Sequence, residues 1–335
     1  MTGERLRRHA PSLLRARDFS RDAMERFADA ISTTPWVDDA SVLCIVAAGS
    51  LGRLEASSVS DVDCMILVDE TASPDMEAAT GLLTGLDGAF ERAGLAPPKA
   101  DGIYTRPIPF PLLIAQQARG SLDELPALFG SRMQMLLDGR ALYRADSFDT
   151  LRERVLHWYA GEWPAGAWTH LYNDLSRYLH AYAVWQQFKM SRSEDDGWLL
   201  RQAKFRSSRI VTFAGMMCLL AEGSRQAAGD PGWIAQHLDK TPLERLLFVL
   251  AEYDDPGQAR FIETYDCIHA RLSDPMVRAE LIAKSPRSPD EVARVHSGAY
   301  AEIHALSASL LDELTRFILA RRDDWPLAVF RNWLL

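Results

Sequence analysis

The chain has 335 residues, of which 47% are hydrophobic and 25% charged, a composition that is ordinary for a folded protein. Its formal net charge of −9 argues against a broad nucleic-acid surface, which needs clustered lysines and arginines, so nucleic acid is not an expected partner. The longest apolar runs, such as 210–220, are too short and interrupted to span a bilayer, and no signal-peptide core follows the basic N-terminus. We therefore expect a cytoplasmic protein that does not bind a membrane.

Helices and then a buried strand are predicted at the start of the chain. Apolar residues recur at helical spacing through residues 1–34, which predicts one or two helices that pack against a sheet. Residues 42–47 are rich in β-branched side chains and contain no polar residue, as is typical of a strand buried on both faces. We expect this run to be a central strand.

A glycine-containing turn and two aspartates follow this strand. Gly49, Ser50 and Gly52 tolerate a tight backbone, and a short helix that begins there would direct amide groups at an anion, so the turn predicts a phosphate-binding site. Asp61 and Asp63 precede the next apolar run, and residues two apart on a strand face the same side. Two carboxylates beside bound phosphates suit Mg²⁺ shared by the protein and a nucleotide.

The complete motif resembles a known family signature. The string Gly-Ser-x-Gly-Arg-x-Glu over 49–55, continued by Ser-Asp-x-Asp over 60–63, resembles the signature of the DNA polymerase β-like nucleotidyltransferase superfamily. Within that superfamily it is similar to the branch that contains protein-PII uridylyltransferase and glutamine-synthetase adenylyltransferase. The resemblance implies that Asp61 and Asp63 bind Mg²⁺ and that the turn binds the terminal phosphates of an NTP. An acidic hairpin turn without a catalytic role is the alternative.

Arg53 within the motif and Arg140 in a later segment each have two interpretations. Arg53 follows the family string and is a candidate nucleotide ligand, whereas an ion pair with Glu55 that shapes the loop is the alternative. Farther along, the segment 133–143 is similar to the one that closes the nucleotidyltransferase domain of uridylyltransferase-like proteins. Within it, Asp138 and Arg140 could form a structural ion pair or line the site.

A third carboxylate is predicted on a later strand. After a helix predicted over 73–94, residues 100–106 have the pattern of the next strand. Superfamily members usually place a third carboxylate on such a strand, and resemblance to the adenylyltransferase element D-x-R-x-R-P makes Asp101 the candidate. The segment is one residue longer than that element and lacks its first arginine, so a solvated turn aspartate is the alternative.

The character of the sequence changes near residue 149. Strand-like alternation disappears, and long amphipathic helical stretches separated by polar or glycine-containing turns continue to the end. We therefore predict an α+β protein. A nucleotidyltransferase domain of mixed β-sheet and helices would cover 1–148, and an all-helical domain would cover 149–335.

One helix of the second half carries a further candidate ligand. Arg201, Lys204 and Ser208 share one face of the helix predicted over 198–222, and a cationic face suits a triphosphate. The superfamily often uses a lysine from a helix that follows the catalytic sheet, so the resemblance makes Lys204 a candidate nucleotide ligand. A solvated helix face is the alternative.

The resemblance implies an enzyme, a Mg²⁺-dependent nucleotidyltransferase. It would transfer an NMP from an NTP, such as ATP, to a hydroxyl of a protein or small-molecule acceptor and release pyrophosphate. Asp101 would complete the metal site and could help to deprotonate the acceptor. The alternatives are a catalytically silent NTP-binding regulator and an RNA-modifying or toxin-type nucleotidyltransferase, and the acidic net charge counts against the latter.

Overall fold

The fold of the chain is α+β, as predicted. The computed structural model describes residues 2–34, 41–69, 76–96, 106–119, 121, 123–161, 167–191, 197–286 and 298–334. It contains helices and one four-stranded mixed sheet. No helix among these residues combines the length and apolar character that crossing a bilayer requires.

The chain divides into two compact units, each assembled from separate stretches of sequence. The sheet unit consists of Ala16–Asp174 and Gln226–Thr241, and the helical unit consists of Met1–Arg15, Leu175–Arg225 and Pro242–Leu335. The described residues of the helical unit form helices and no strand. The domain boundary predicted after residue 148 falls within the sheet unit, and the division into the two predicted domains stays a prediction.

Helices alternate with strands in the first half of the chain. In order, the elements are α1 (Thr2–His9), α2 (Pro11–Ser32), β1 (Val42–Ala48), α3 (Gly49–Gly52), β2 (Asp63–Val68), α4 (Met76–Ala93), β3 (Ile108–Pro109), α5 (Phe110–Leu113), a 3-10 turn (Gln116–Ala118), α6 (Pro126–Leu137), β4 (Arg140–Tyr143) and α7 (Ala145–Ala160). The predicted N-terminal helices, the strand before the motif and the strand after it are all confirmed. The predicted strand at 100–106 lies almost entirely outside the described residues.

The sheet brings both ends of the motif to the C-terminal end of β1. Its strand order is β3-β2-β1-β4, so β1 has a neighbour on each side, which confirms the prediction of an inner strand. Strand β1 is antiparallel to both β2 and β4, and β2 is parallel to β3. Near the end of β1, Ala48 pairs with Asp63 on one side and Ala47 pairs with Arg140 on the other.

Two helices cover the sheet with apolar side chains. Phe27 of α2 and Phe90 of α4 are fully buried, and their ring centroids lie 4.6 Å apart. Each such side chain contributes about 1.5–3 kcal/mol of hydrophobic stabilisation relative to exposure. Polar contacts fix the same pair of helices, since Arg26 Nε donates to the carbonyl of Ala93 at 3.1 Å. The same core includes side chains of β1 and β2, the two strands that flank the motif.

Helices make up the rest of the chain. They are α8 (Thr169–Ser191), α9 (Trp198–Lys204), a π-helical turn (Phe205–Arg209), α10 (Ile210–Gln226), α11 (Pro231–Ala235), α12 (Pro242–Glu252), α13 (Gln258–Ser273), α14 (Pro275–Ala283), α15 (Ala299–Ala320) and α16 (Leu327–Leu334). Backbones approach closely where α10 meets α12, because a Cβ on Gly215 would stand 2.3 Å from the carbonyl oxygen of Pro242. The predicted helical character of this half is confirmed for its described residues.

Candidate functional site

The turn after β1 requires glycine at its first position. Gly49 has a φ of +64°, in the left-handed region that side chains rarely adopt. A Cβ there would also stand 2.5 Å from Oδ2 of Asp63, which is closer than any real contact of that kind. The carboxylate of Asp63 therefore lies directly against the start of the turn. Ala48 precedes the turn and has no side-chain acceptor with which to cap its amides.

The two aspartates flank a buried residue at the start of β2. Asp61 forms a parallel bridge with Ala96, and Asp63 is the first residue of the strand. Both are partly exposed, whereas Val62 between them is buried in the core. The alternation places the two aspartates on the side opposite Val62. Burial and the neighbouring charge of Asp63 raise the pKa of the Cys64 thiol, so that this thiol is protonated near neutral pH.

The second glycine of the turn allows a close backbone contact with the segment before β4. A Cβ on Gly52 would stand 2.0 Å from the carbonyl oxygen of Asp138 and 2.9 Å from that of Ala47. In the same place, Arg140 Nε donates to the carbonyl of Gly52 at 3.3 Å. The turn is thus pressed onto the chain segment that leads into β4, and only glycine fits between the two backbones.

Arg53 is held by two carboxylates. Its Nε donates to Oε2 of Glu55 at 2.7 Å, and its Nη1 donates to Oδ2 of Asp138 at 2.8 Å. The exposed fractions of the three side chains are only 7%, 6% and 0%, in the order Arg53, Glu55 and Asp138. The structure thus contains the ion pair with Glu55 that was one of the two interpretations of Arg53. A contact between Arg53 and nucleotide stays a prediction.

The loop that follows Arg53 is strained and closed by its own backbone. Leu54 has a φ of +58°, which costs a residue with a side chain about 1–3 kcal/mol. The amide of Glu55 donates to the carbonyl of Ser50 at 2.8 Å and returns the chain to the start of α3. The paired Arg53 side chain and this backbone bond together hold the strained conformation. They fix the backbone at Ser50, the predicted phosphate ligand.

Part of the predicted metal site lies outside the described residues. Asp101, the candidate third carboxylate, falls within 97–105, which the structure does not describe. In the part of the chain that is described, no group of three or more His, Cys, Asp or Glu side chains could hold a metal ion. In phosphoryl-transfer sites Mg²⁺ is bound by one or two carboxylates together with phosphates and water, which is the donor chemistry of Asp61 and Asp63. Binding of Mg²⁺ by these two residues stays a prediction.

The predicted ligand Lys204 belongs to the helical unit, whereas the motif residues belong to the sheet unit. It is the last residue of α9 and is partly exposed. The hydroxyl of Ser208 donates to the carbonyl of Lys204 at 3.2 Å, and burial lowers the pKa of the neighbouring Arg201. The predicted contact between Lys204 and the triphosphate stays a prediction.

A buried ionic cluster in the sheet unit was missed by sequence reasoning. Arg132 is fully buried and donates from Nη2 to Oε2 of Glu124 at 2.7 Å and from Nε to the hydroxyl of Tyr159 at 2.9 Å. The Tyr159 hydroxyl in turn donates to Oδ2 of Asp174 at 2.6 Å. Burial raises the pKa of Tyr159, which keeps its hydroxyl a donor. No local pattern marks these residues, because their spacing has no helical or strand period.

Comparisons with known protein families and curated proteins identify no relative of this chain. A scan against models of protein families finds none that matches the chain, and a search of curated proteins finds no similar sequence. The likeness of the string at 49–63 to nucleotidyltransferases therefore stays an interpretation of those residues themselves.

Proposed function

We propose that this protein is a Mg²⁺-dependent nucleotidyltransferase of the DNA polymerase β-like superfamily. It transfers an NMP from an NTP to a hydroxyl of a protein or small-molecule acceptor. One observation carries the proposal, namely that the carboxylate of Asp63 lies against Gly49 at the start of the turn after β1. Such a contact puts a metal-binding oxygen beside backbone that can bind phosphate, which is the combination that metal-assisted phosphoryl transfer uses.

The motif residues have separate roles in this proposal. Asp61 and Asp63 hold Mg²⁺, which when bound offsets the negative charge of the triphosphate. The amides at Gly49 and Ser50 and the Ser50 hydroxyl bind the β- and γ-phosphates, and the rigid loop keeps these donors oriented. The acceptor oxygen forms a bond to the α-phosphorus while the bond from that phosphorus to the bridging oxygen breaks, and pyrophosphate leaves. Asp101 accepts the proton of the acceptor hydroxyl.

Label transfer from the α-phosphate tests this proposal. The purified protein is incubated with Mg²⁺, a cell lysate and each α-labelled NTP in turn, and the protein, RNA and small-molecule fractions are then separated. The test variant is Asp63→Asn, because an amide retains the shape of the carboxylate without its charge. The matched control is Asp69→Asn, which changes an exposed aspartate just beyond the other end of β2.

We expect the wild type and Asp69→Asn to transfer label to the protein or small-molecule fraction and Asp63→Asn to transfer none. Full transfer by Asp63→Asn would contradict the assignment of the metal ligands. Nucleotide binding without transfer by the wild type identifies the silent regulator instead, and label in the RNA fraction identifies the RNA-modifying alternative. The absence of both binding and transfer would refute the proposal.

A further inference from the structure

A short segment of the sheet unit lies, in sequence, between two stretches of the helical unit. Gln226–Thr241 packs with the sheet unit, although the residues immediately before and after it in sequence belong to the helical unit. Within the segment, Oδ2 of Asp230 accepts a hydrogen bond from the amide of Trp233 at 2.9 Å and caps helix α11. The ring of His237 stacks on that of Trp233, with centroids 4.2 Å apart. The segment is therefore an ordered part of the sheet unit.

Two arginines of the sheet unit bind the end of this segment. Arg152 of α7 donates from Nη1 to the carbonyl of Leu238 at 3.1 Å and from Nη2 to Oδ1 of Asp239 at 2.6 Å. Arg140 of β4 donates from Nη2 to the carbonyl of Asp239 at 3.0 Å. The acceptors at Leu238 and Asp239 in two of these bonds are backbone carbonyls. These two bonds therefore depend on the path of the chain more than on the identity of the side chains.

Arg140 differs from Arg152 in what the rest of its guanidinium contacts. Its Nε donates to the carbonyl of Gly52, in the turn that we propose to bind phosphate. A guanidinium is planar and rigid, so its Nε and Nη2 hold two acceptors at a fixed separation. Arg140 therefore ties the carbonyl of Gly52 to the carbonyl of Asp239. Within the described part of the chain, Arg152 donates its hydrogen bonds to this segment and to Asp149, and to no residue of the turn.

We propose that Arg140 is a positioning residue that fixes the turn of α3 for triphosphate binding and couples it to the segment 226–241. The inference rests on the proposed function of the turn. Hydrogen bonding to the carbonyl of Gly52 restricts the rotation of its peptide group, and a turn ordered before binding loses less conformational entropy when phosphate binds. Coupling of this kind is reciprocal, so bound nucleotide also stabilises the docking of the segment.

The test compares Arg140→Lys with Arg152→Lys in the full-length protein. Lysine retains the charge of each arginine but carries all its donors on one nitrogen, so it cannot reproduce the fixed separation between Nε and Nη2. Hydrogen exchange measured by mass spectrometry reports the order of residues 49–55 and 237–241 separately. Calorimetry with Mg²⁺-ATP reports nucleotide affinity, and thermal unfolding shows whether both variants are folded.

Arg140→Lys is expected to exchange faster in both segments, and Arg152→Lys only in 237–241. Arg140→Lys should bind Mg²⁺-ATP about threefold to tenfold more weakly, as the loss of one hydrogen bond allows, whereas Arg152→Lys should bind like the wild type. Addition of Mg²⁺-ATP should slow exchange of 237–241 in the wild type and not in Arg140→Lys.

Unchanged exchange of 49–55 in Arg140→Lys, or an equal effect on 49–55 in Arg152→Lys, would overturn the positioning role. These exchange measurements need no nucleotide. If the wild type binds no NTP, the proposed function fails, and the exchange of 49–55 still decides whether Arg140 orders the turn.

Discussion

Nη1 of Arg53 lies 2.8 Å from Oδ2 of Asp138, although the two residues are 85 positions apart in sequence. Both side chains are almost completely buried, so water cannot solvate either charge if the partner is removed. The pair fastens the turn at 49–55 to the segment that leads into β4. The stability of the sheet unit and the shape of the turn should therefore depend on the same contact.

Replacement of Asp138 by alanine should destabilise the protein strongly. Arg53 keeps its ion pair with Glu55 but loses the buried hydrogen bond from Nη1 to a carboxylate, which should lower the free energy of unfolding by about 1.5–3 kcal/mol. Urea unfolding measures this change, with Asp69→Ala at an exposed position as the control. The double variant with Arg53→Ala should lose less than the sum of the single losses. Additive losses would show that the two side chains do not interact.

Gly52→Ala should disrupt the turn through backbone collision. The added Cβ would meet the carbonyl oxygen of Asp138 at 2.0 Å, and a backbone atom cannot move aside as a flexible side chain can. We expect a loss of about 1–3 kcal/mol or more in the free energy of unfolding, as for overpacked interiors. Gly88→Ala in α4 is the matched control, since its nearest neighbour is the end of the Arg92 side chain and alanine favours helix. Equal thermal stability of the two variants would contradict this account.

Ser50→Ala tests the predicted phosphate contact. If the Ser50 hydroxyl donates to a terminal phosphate, its loss should weaken NTP binding by about 1.5–3 kcal/mol, the range for hydrogen bonds to charged groups. The apparent KM for NTP and the affinity by calorimetry should both report the change. Ser58→Ala, at an exposed position of the same loop, should leave both unchanged. Unaltered affinity in Ser50→Ala would mean that the turn has another purpose.

Lys204→Met tests the predicted contact of the helical unit with nucleotide. Methionine retains much of the length and the apolar stem of lysine while removing the charge. A partly desolvated contact with phosphate should contribute more than the roughly 0–1 kcal/mol of a surface ion pair. Lys284→Met is the control, because Lys284 is exposed and pairs with Glu280 at 2.7 Å. Calorimetry at low and high salt should show weaker binding in Lys204→Met alone, and identical curves would mean that the helix face is merely solvated.

The cysteines should differ sharply in reactivity. Cys267 is exposed, whereas the other three are buried. Burial raises the pKa of Cys44 from 9.0 to about 12, so at pH 9 the folded protein holds this thiol protonated while an unfolded chain would hold half of it as reactive thiolate. A thiol reagent at pH 8–9 should therefore modify one cysteine quickly in the native protein and all of them in urea. Rapid native reaction in Cys267→Ser would contradict the burial of the other thiols.

Local features of the fold could be predicted from the sequence because their causes are local. The apolar run 42–47 and the one that begins after Asp63 are strands, and glycine is required at Gly49 for a backbone conformation that the turn itself demands. The two aspartates lie where the alternation of a strand puts them. In each case the pattern and its physical cause lie within a few residues of one another.

Contacts between distant segments could not be predicted in the same way. Sequence reasoning considered Glu55 as a partner of Arg53 but missed Asp138, because that contact depends on the pairing of β4 with β1. It also missed the return of 226–241 to the sheet unit, which Arg140 and Arg152 stabilise through backbone carbonyls that carry no sequence signal. Asp101 lies outside the described residues, so its role stays a prediction.

The contact between Gly49 and Asp63 also restricts how this sequence can change during evolution. Because a Cβ at residue 49 would stand 2.5 Å from Oδ2 of Asp63, a side chain at 49 would require the Asp63 carboxylate to rotate away from the turn. A lineage that loses the carboxylate removes this collision at residue 49, although the positive φ there continues to favour glycine. Within this fold, glycine at 49 should therefore persist even where the aspartate at 63 is lost, because the positive φ does not depend on the carboxylate.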